Sequence, residues 1–146
     1  MQRKILFFLY AICLVISIPA HARSPAPEDA KAFILSPRDG ATVASPFVVQ
    51  FGLSGMAVSP AGEKRANSGH FHLLIDVDTL PPMDQPIPKD EHHLHFGKGQ
   101  TKTKLQLPPG KHTLQLLLGD YQHIPHDPPV ISDKITITVT APEQGK

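Results

Sequence analysis

Cysteine is almost absent from this 146-residue chain, since the only one, Cys13, lies in an apolar run near the N-terminus. The remainder of the chain therefore forms no disulfide bond and offers no thiolate to a metal ion. Beyond residue 22 the methionines are only Met56 and Met83, too few for a methionine-rich copper(I) carrier. Any metal site in this chain must use imidazole and carboxylate groups.

The chain also lacks an excess of charge of either sign. It has 14 basic and 13 acidic residues, a formal net charge of +1. Loss of residues 1–22 removes two basic and no acidic residues, which brings the net charge to −1. Because lysine and arginine are not clustered along the sequence, we expect binding neither to nucleic acid nor to an anionic membrane.

Only one long apolar run is present, from Ile5 to Ile18. It follows Arg3 and Lys4 and precedes the small-residue pattern Ala20-His21-Ala22. This order is typical of a secretory signal peptide, which we predict to span residues 1–22. The run is too short for a spanning helix, so we expect no stable membrane insertion after cleavage. We therefore predict an exported protein, either periplasmic or secreted.

Proline and glycine interrupt the rest of the chain, with 16 and 10 residues respectively, and leave few segments that could form a helix. Short runs of alternating apolar and polar residues, rich in β-branched and aromatic side chains, predict strands instead. The fold class is therefore all-β, an immunoglobulin-like two-sheet β-sandwich of about seven short strands. The clearest predicted strands are Lys31–Leu35, Phe47–Leu53, Ser68–Asp78, Thr101–Leu107, Thr113–Gly119 and Ser132–Thr140.

We predict one domain at residues 31–141, with a flexible lead-in at 23–30 and a short tail at 142–146. Two proline-rich segments, Asp78–Glu91 and Asp120–Pro129, interrupt the strand pattern and predict long loops. Long loops in compact domains are typically functional or disordered.

The strand that begins at Ser68 carries the best chemical signal. With a period of two residues, Phe71 and Leu73 point to one face and His70 and His72 point to the other. Two imidazoles at positions i and i+2 of a strand lie close enough to bind the same metal ion. The sequence thus predicts one core face and one face that begins with two possible ligands.

The other histidines are clustered as well. Eight of the nine histidines follow residue 22, and seven of these fall into three short groups. The preferred metal ligands are His70, His72, His93 and His95, with His123 or His126 completing or gating the site. The last group approaches the first if the strand bearing His70 neighbours the strand that ends at Asp120. Imidazole donors favour zinc or copper(II).

Other residues receive supporting or structural interpretations. Asp76, Asp120 and Asp127 are candidate acceptors that would orient a metal-binding ring through its second nitrogen. His112 lies where sandwich domains place a corner tyrosine, and we interpret it as structural. Neither a nucleophile elbow nor a phosphate-binding glycine loop is present, so the sequence gives little support to a classical hydrolytic site. We expect metal binding or delivery, with redox catalysis as the less favoured outcome.

A metal-free function is the alternative hypothesis. Each histidine taken alone could be an ordinary surface residue, and the two proline-rich loops could bind an envelope protein or a glycan. Geometry separates the two hypotheses, because ligands of one ion must converge.

The chain resembles an uncharacterised bacterial family, the domain of unknown function 4399, in three stretches: Gly69–Asp76, His93–Thr101 and Leu107–Val130. The resemblance extends over about Phe33 to Val139 and implies an exported domain without an established activity. Members of that family commonly carry a third histidine directly after the first, where this chain has Phe71. The His-Phe-His element is also similar to the paired copper ligands of copper/zinc superoxide dismutase, and the small sandwich resembles periplasmic copper-binding proteins.

Overall fold

The computed structural model describes residues 22–142. The predicted signal peptide lies outside this range except for Ala22, as does the predicted tail except for Pro142. The described residues contain nine strands, which are β1 (Lys31–Ser36), β2 (Thr42–Ala44), β3 (Phe47–Ser54), β4 (Ala57–Val58), β5 (Ser68–Ile75), β6 (His93–His95), β7 (Lys102–Leu105), β8 (Gly110–Gly119) and β9 (Ile135–Thr140).

The strands form two sheets, as the sequence predicts. One sheet has three strands in the order β1-β3-β7, all antiparallel. The other has six strands in the order β2-β9-β8-β5, and both β4 and β6 pair with the far edge of β5. The predicted immunoglobulin-like all-β sandwich is confirmed. Residues 22–142 include no helix long and apolar enough to cross a membrane.

The main core lies between the two sheets. Alternate residues of β5 and β8, among them Phe71, Leu73, Leu116 and Leu118, are buried there against β3. The aromatic ring of Phe51 on β3 lies with its centroid 5.3 Å from that of Phe71. The sequence-based orientation of this face of β5 is confirmed.

The opposite face of the six-stranded sheet is buried too, although in a β-sandwich one face of each antiparallel sheet is usually exposed to water. All eight residues of β5 are buried. The loop after β5 lays Ile87 over Leu74 and Leu117, which form a second apolar cluster with Met83 at its margin. The two proline-rich loops are joined where the Ile87 amide donates to the His123 carbonyl over 2.9 Å. This cover turns the face that carries His70 and His72 into an interior.

The structure corrects the sequence prediction in three places. Strand β5 ends at Ile75 instead of Asp78, because Asp76 adopts a left-handed conformation with φ of 55°. Strands β2, β4 and β6 are additional to the six clearest predicted strands, since runs of two or three residues show no readable alternation. The lead-in at 23–30 is held in place by hydrogen bonds to the loop after β8, described below.

His112 is structural, in agreement with the prediction. Its Nδ1 lies 2.7 Å from Asp76 Oδ2 and its Nε2 lies 2.9 Å from the Pro108 carbonyl oxygen. The other oxygen of Asp76 accepts the amide of Thr113 over 2.8 Å. Partial burial favours the neutral ring, but the bonds to Asp76 and Pro108 outweigh it and raise the pKa of His112. The imidazolium thus ties the end of β5 to the start of β8.

We expect His112→Gln to destabilise the domain by about 1 kcal/mol, most strongly in weakly acidic solution. A raised pKa in the folded state stabilises the protein below the pKa of the unfolded chain, near 6.5, and this contribution disappears as pH rises through the folded pKa. Chemical denaturation of both proteins at about pH 5.5 and about pH 8 measures the difference. An equal difference at the two pH values would contradict a protonated His112.

Candidate metal centre

Four histidine side chains converge on the outer face of the six-stranded sheet. His72 on β5 pairs directly with His95 on β6, and His70 lies one side-chain repeat away on the same face. Strand β8 borders β5 on its other side, with Gly119 opposite His70. The loop that follows β8 returns over this face and brings His123 to the other three. The predicted neighbourhood of the strand bearing His70 and the strand ending before Asp120 is confirmed.

The rings lie at contact distance from one another. The centroids of His70 and His72 are 4.9 Å apart, and that of His95 lies 5.0 and 5.1 Å from them. The ring of His123 is 4.8 Å from that of His95, 5.0 Å from that of His70 and 6.1 Å from that of His72. One potential ligand nitrogen from each of His70, His72 and His95 lies within 4.8 Å of the others. These three histidines could hold a metal ion.

Most of the ring nitrogens in this triad have no protein partner. His70 and His72 are 0% and 1% exposed. Among the described residues, no hydrogen-bond partner is found for either ring nitrogen of His70, for Nδ1 of His72 or for Nε2 of His95. Leaving a buried polar atom unsatisfied costs about 1–3 kcal/mol, which would be a large loss in a domain of this size. A bound cation would satisfy several of these nitrogens at once.

Burial keeps the imidazoles neutral. Desolvation, followed by repulsion from His123 and His95, lowers the pKa of His70 to about 4. Desolvation and then repulsion from His70 lower that of His72 to about 2. The pKa of His95 is lowered by the same causes, burial first and then His123. Neutral imidazole is the form that binds a metal ion, so these side chains need lose no proton at neutral pH.

His123 is positioned by the loop between Asp120 and Ile124. Asp120 is buried, and its Oδ1 accepts the amides of Gln122 and Ile124 over 2.8 and 3.0 Å. Its backbone carbonyl accepts the amide of His123 over 2.9 Å, and His123 has a left-handed φ of 69°. This tight turn explains how a loop residue reaches a ring cluster that belongs to two strands.

The residues before β1 fasten the same loop. Ser24 Oγ donates to Asp120 Oδ2 over 2.6 Å. Arg23 donates to the carbonyl oxygens of Pro125 and His126 and lies 3.3 Å from the carboxylate of Asp127. The predicted flexible lead-in is therefore ordered at this end, because polar groups that the sequence separates by about a hundred residues meet here.

Two predicted ligands are outside the ring cluster. His93 lies on the same side of β6 as His95 but opposite Leu74, and its Nδ1 is 2.8 Å from Asp90 Oδ1. His126 is buried against β5 and its Nε2 bonds the Ser68 carbonyl over 3.1 Å. The structure thus joins His123 to the triad and gives His93 and His126 other partners.

None of the three predicted carboxylate partners is hydrogen-bonded to a ring of the cluster. Asp76 binds His112, Asp127 binds Arg23, and Asp120 binds the backbone of its own loop. Asp120 still acts on the site through space, since its negative charge opposes the lowering of the His70 pKa. The sequence shows that a carboxylate is near in the chain, but not which group it bonds.

Glycines that the sequence analysis overlooked make room for the rings. A Cβ on Gly119 would lie 2.8 Å from Cε1 of His72, and one on Gly97 would lie 2.6 Å from Nε2 of His95. A Cβ on Gly69 would lie 2.9 Å from Cε1 of His126. Gly-His and His-x-Gly spacings were the available signal, but they become meaningful only once the strands are paired.

We expect the metal-free protein to lose stability as pH falls from about 6.5 toward 4. A lowered pKa means that the unfolded chain takes up protons in this range while the buried rings of His70 and His72 do not, so unfolding becomes more favourable with acid. Denaturant unfolding of chelator-treated protein across this range measures the effect, which should exceed about 1 kcal/mol. His72→Leu, which removes one buried titrating group, should show a smaller pH dependence; an unchanged dependence would contradict the buried neutral ring.

Comparison with known proteins gives a family but no activity. The model of the family called Domain of unknown function (DUF4399) matches residues 49–140. No curated protein matches the chain. A structure described as "Structures of Clostridium thermocellum CbhA fibronectin(III)-like modules" is similar with a TM-score of 0.46 and 10% identity, over 80% of this chain and 50% of that one. The match therefore spans half the length of that solved chain.

The family match covers well over half of the chain and contains all four histidines of the cluster. The resemblance seen in the Gly-His-Phe-His and His-Leu-His-Phe-Gly segments is thereby confirmed, and the protein belongs to the DUF4399 family.

Proposed function

We propose that this protein is an exported metal-binding protein that holds a copper(II) or zinc ion at His70, His72 and His95. Its role is metal binding or delivery in the periplasm or outside the cell. The observation that carries the proposal is the set of buried ring nitrogens without hydrogen-bond partners, within a triad whose ligand atoms lie 4.8 Å or less apart. The predicted signal peptide supports export.

The donor set limits the choice of ion. Neutral imidazole suits zinc and copper(II), whereas magnesium and calcium prefer oxygen ligands. Both methionines beyond residue 22 pack in apolar clusters, Met56 at the margin of the main core and Met83 in the cluster under the loop. The histidine cluster thus supplies nitrogen donors alone. This supports copper(II) or zinc over a copper(I) ion bound by thioether groups.

His123 gives the site a means of opening and closing. Its ring is 4.8 Å from that of His95, and these two rings are half-buried while His70 and His72 are fully buried. Three histidines leave a fourth coordination position, which His123 can fill from its loop. Movement of this one side chain would expose the ion to a recipient, as delivery requires.

The fold of the loops weighs against the alternative, a metal-free module that binds a protein or glycan. Ile87 in the first loop is 5% exposed and is packed on Leu74 and Leu117 of the sheet. The second loop hydrogen-bonds the first and brings His123 to the ring cluster. A first loop that packs Ile87 on the sheet and a second loop that brings His123 to the ring cluster support a buried site more than a binding surface.

Calorimetric titration of the exported protein, after removal of metal with a chelator, tests the proposal. We expect saturable binding of one equivalent of copper(II) or zinc. His95→Gln should weaken it by more than the ~10–100-fold typical of losing an outer partner of a ligand, because a ligand itself is removed. The His70→Ala, His72→Ala double variant should lose it altogether.

His93→Gln is the matched control. It changes the same residue type on the same strand, two positions from His95, but removes a side chain that bonds Asp90. The control should bind metal like the wild type. Equal binding by the wild type and the double variant would contradict the site, and a loss in His93→Gln equal to that in His95→Gln would return His93 to the ligand set.

Glycine substitutions test the geometry without removing a ligand. Gly97→Ala and Gly119→Ala should each weaken metal binding by about tenfold or more, because the added methyl group displaces the ring of His95 or of His72. Titration as above measures the affinity, and circular dichroism reports whether the fold is retained.

Gly52→Ala is the control for this pair. Its Cβ would also meet an aromatic ring, that of Phe33, but on the three-stranded sheet at the other side of the core. We expect it to leave metal affinity unchanged. A similar loss of affinity in all three variants would indicate a general effect on stability instead of displaced ligands.

A further inference from the structure

The three-stranded sheet presents an apolar patch to solvent. Phe33, Leu35 and Val48 are 40%, 54% and 50% exposed. They are three of the four large hydrophobic side chains exposed among residues 22–142, the fourth being Leu80. Phe33 and Leu35 occupy alternate positions of β1, and Val48 lies on the adjacent strand β3, so all three belong to the outer face of one small sheet.

Lysines share this face. Lys31 is two residues before Phe33 on β1 and points the same way. Lys104 pairs with Val48 across the β3–β7 ladder, and Lys102 pairs with Gln50, so both project from the face on which Val48 lies. All three lysines are exposed.

The outward positions of these strands include no acidic residue. The remaining ones are Gln50, Gly52 and Ser54, and the ring of Phe33 lies over Gly52, where an added Cβ would clash with the ring. The charged residues of this face are therefore all positive, and the exposed aromatic ring of Phe33 lies among them. We infer that this face adsorbs to the headgroup region of a bilayer rich in anionic phospholipid.

The exposed lysines and apolar side chains of this face match an anionic bilayer better than they match a second copy of the chain. A two-fold contact through the same face would set lysines against lysines with no carboxylate between them, which like-charge repulsion disfavours. An anionic bilayer offers negative charge for Lys31, Lys102 and Lys104 and an apolar boundary for the side chains of Phe33, Leu35 and Val48.

The location of this face fits the rest of the molecule. It lies across the main core from the outer face of the six-stranded sheet, where the histidine cluster is. Adsorption through the three-stranded sheet therefore leaves the side of the molecule that carries the cluster directed away from the bilayer. The sequence predicted no binding to an anionic membrane, because Lys31, Lys102 and Lys104 are dispersed along the chain. The fold brings these three lysines to one face.

Co-sedimentation of the exported, processed protein with vesicles tests the inference. The vesicles contain equal parts of phosphatidylglycerol and phosphatidylethanolamine, and phosphatidylcholine vesicles serve as the neutral comparison. We expect binding to the anionic vesicles only, weakened by salt because the lysines remain solvent-exposed. A Lys31→Glu, Lys102→Glu, Lys104→Glu variant should bind at least about tenfold more weakly.

A second triple variant keeps the test specific. Lys64→Glu, Lys98→Glu, Lys111→Glu makes the same change in net charge at exposed positions outside this face. It should bind vesicles like the wild type, and both triple variants should keep the metal affinity of the wild type, which separates this inference from the proposed function. Phe33→Ser should reduce vesicle binding without altering net charge.

Several results would overturn the inference. They are the absence of vesicle binding by the wild type, equal binding to neutral vesicles, and an equal loss in both triple variants. Binding to a soluble polyanion such as dextran sulfate, lost in the Lys31, Lys102, Lys104 variant but without binding to vesicles, would also overturn it and identify an acidic polymer as the partner.

Discussion

The burial of neutral imidazole rings on the outer face of the six-stranded sheet is the constraint on which the structure around that sheet depends. His70 and His72 are as inaccessible as the apolar residues that alternate with them along β5. Polar rings in such positions need either hydrogen-bond partners or a ligand, and four nitrogens of the triad have no partner among the described residues. The cover of loops and the glycines beside the rings make this burial possible, and the lowered pKa values follow from it.

The two long loops have one structural role in common, which is to close this face. Proline keeps them out of regular structure, and Ile87 with Met83 gives the first loop an apolar underside that packs on Leu74 and Leu117. The second loop is fixed by polar contacts, to the buried carboxylate of Asp120 and to Arg23 and Ser24. Hydrogen bonds hold a loop at a defined geometry, as positioning His123 requires.

The sandwich separates two chemically different surfaces. The six-stranded sheet places its polar groups, the imidazoles, under cover, whereas the three-stranded sheet leaves Phe33, Leu35 and Val48 open to solvent among lysines. The core between the sheets is continuous and apolar, so each outer face can vary without disturbing the other. The proposed metal site on one face and the proposed adsorbing surface on the other are compatible for this reason.

The sequence by itself determined the fold class, the core face of β5 and the pairing of His70 with His72 on the opposite face, because alternation along a strand is a local property that two-residue periodicity reveals. It also identified the structural role of His112 and the family. Only the tertiary structure decided which distant histidines join the pair. His95 and not His93 belongs to the cluster because the β5–β6 register sets His95 opposite His72, and His123 and not His126 because of the turn at Asp120. Register, loop conformation and the collection of dispersed lysines on one face depend on contacts between residues far apart in the chain, which no local pattern records.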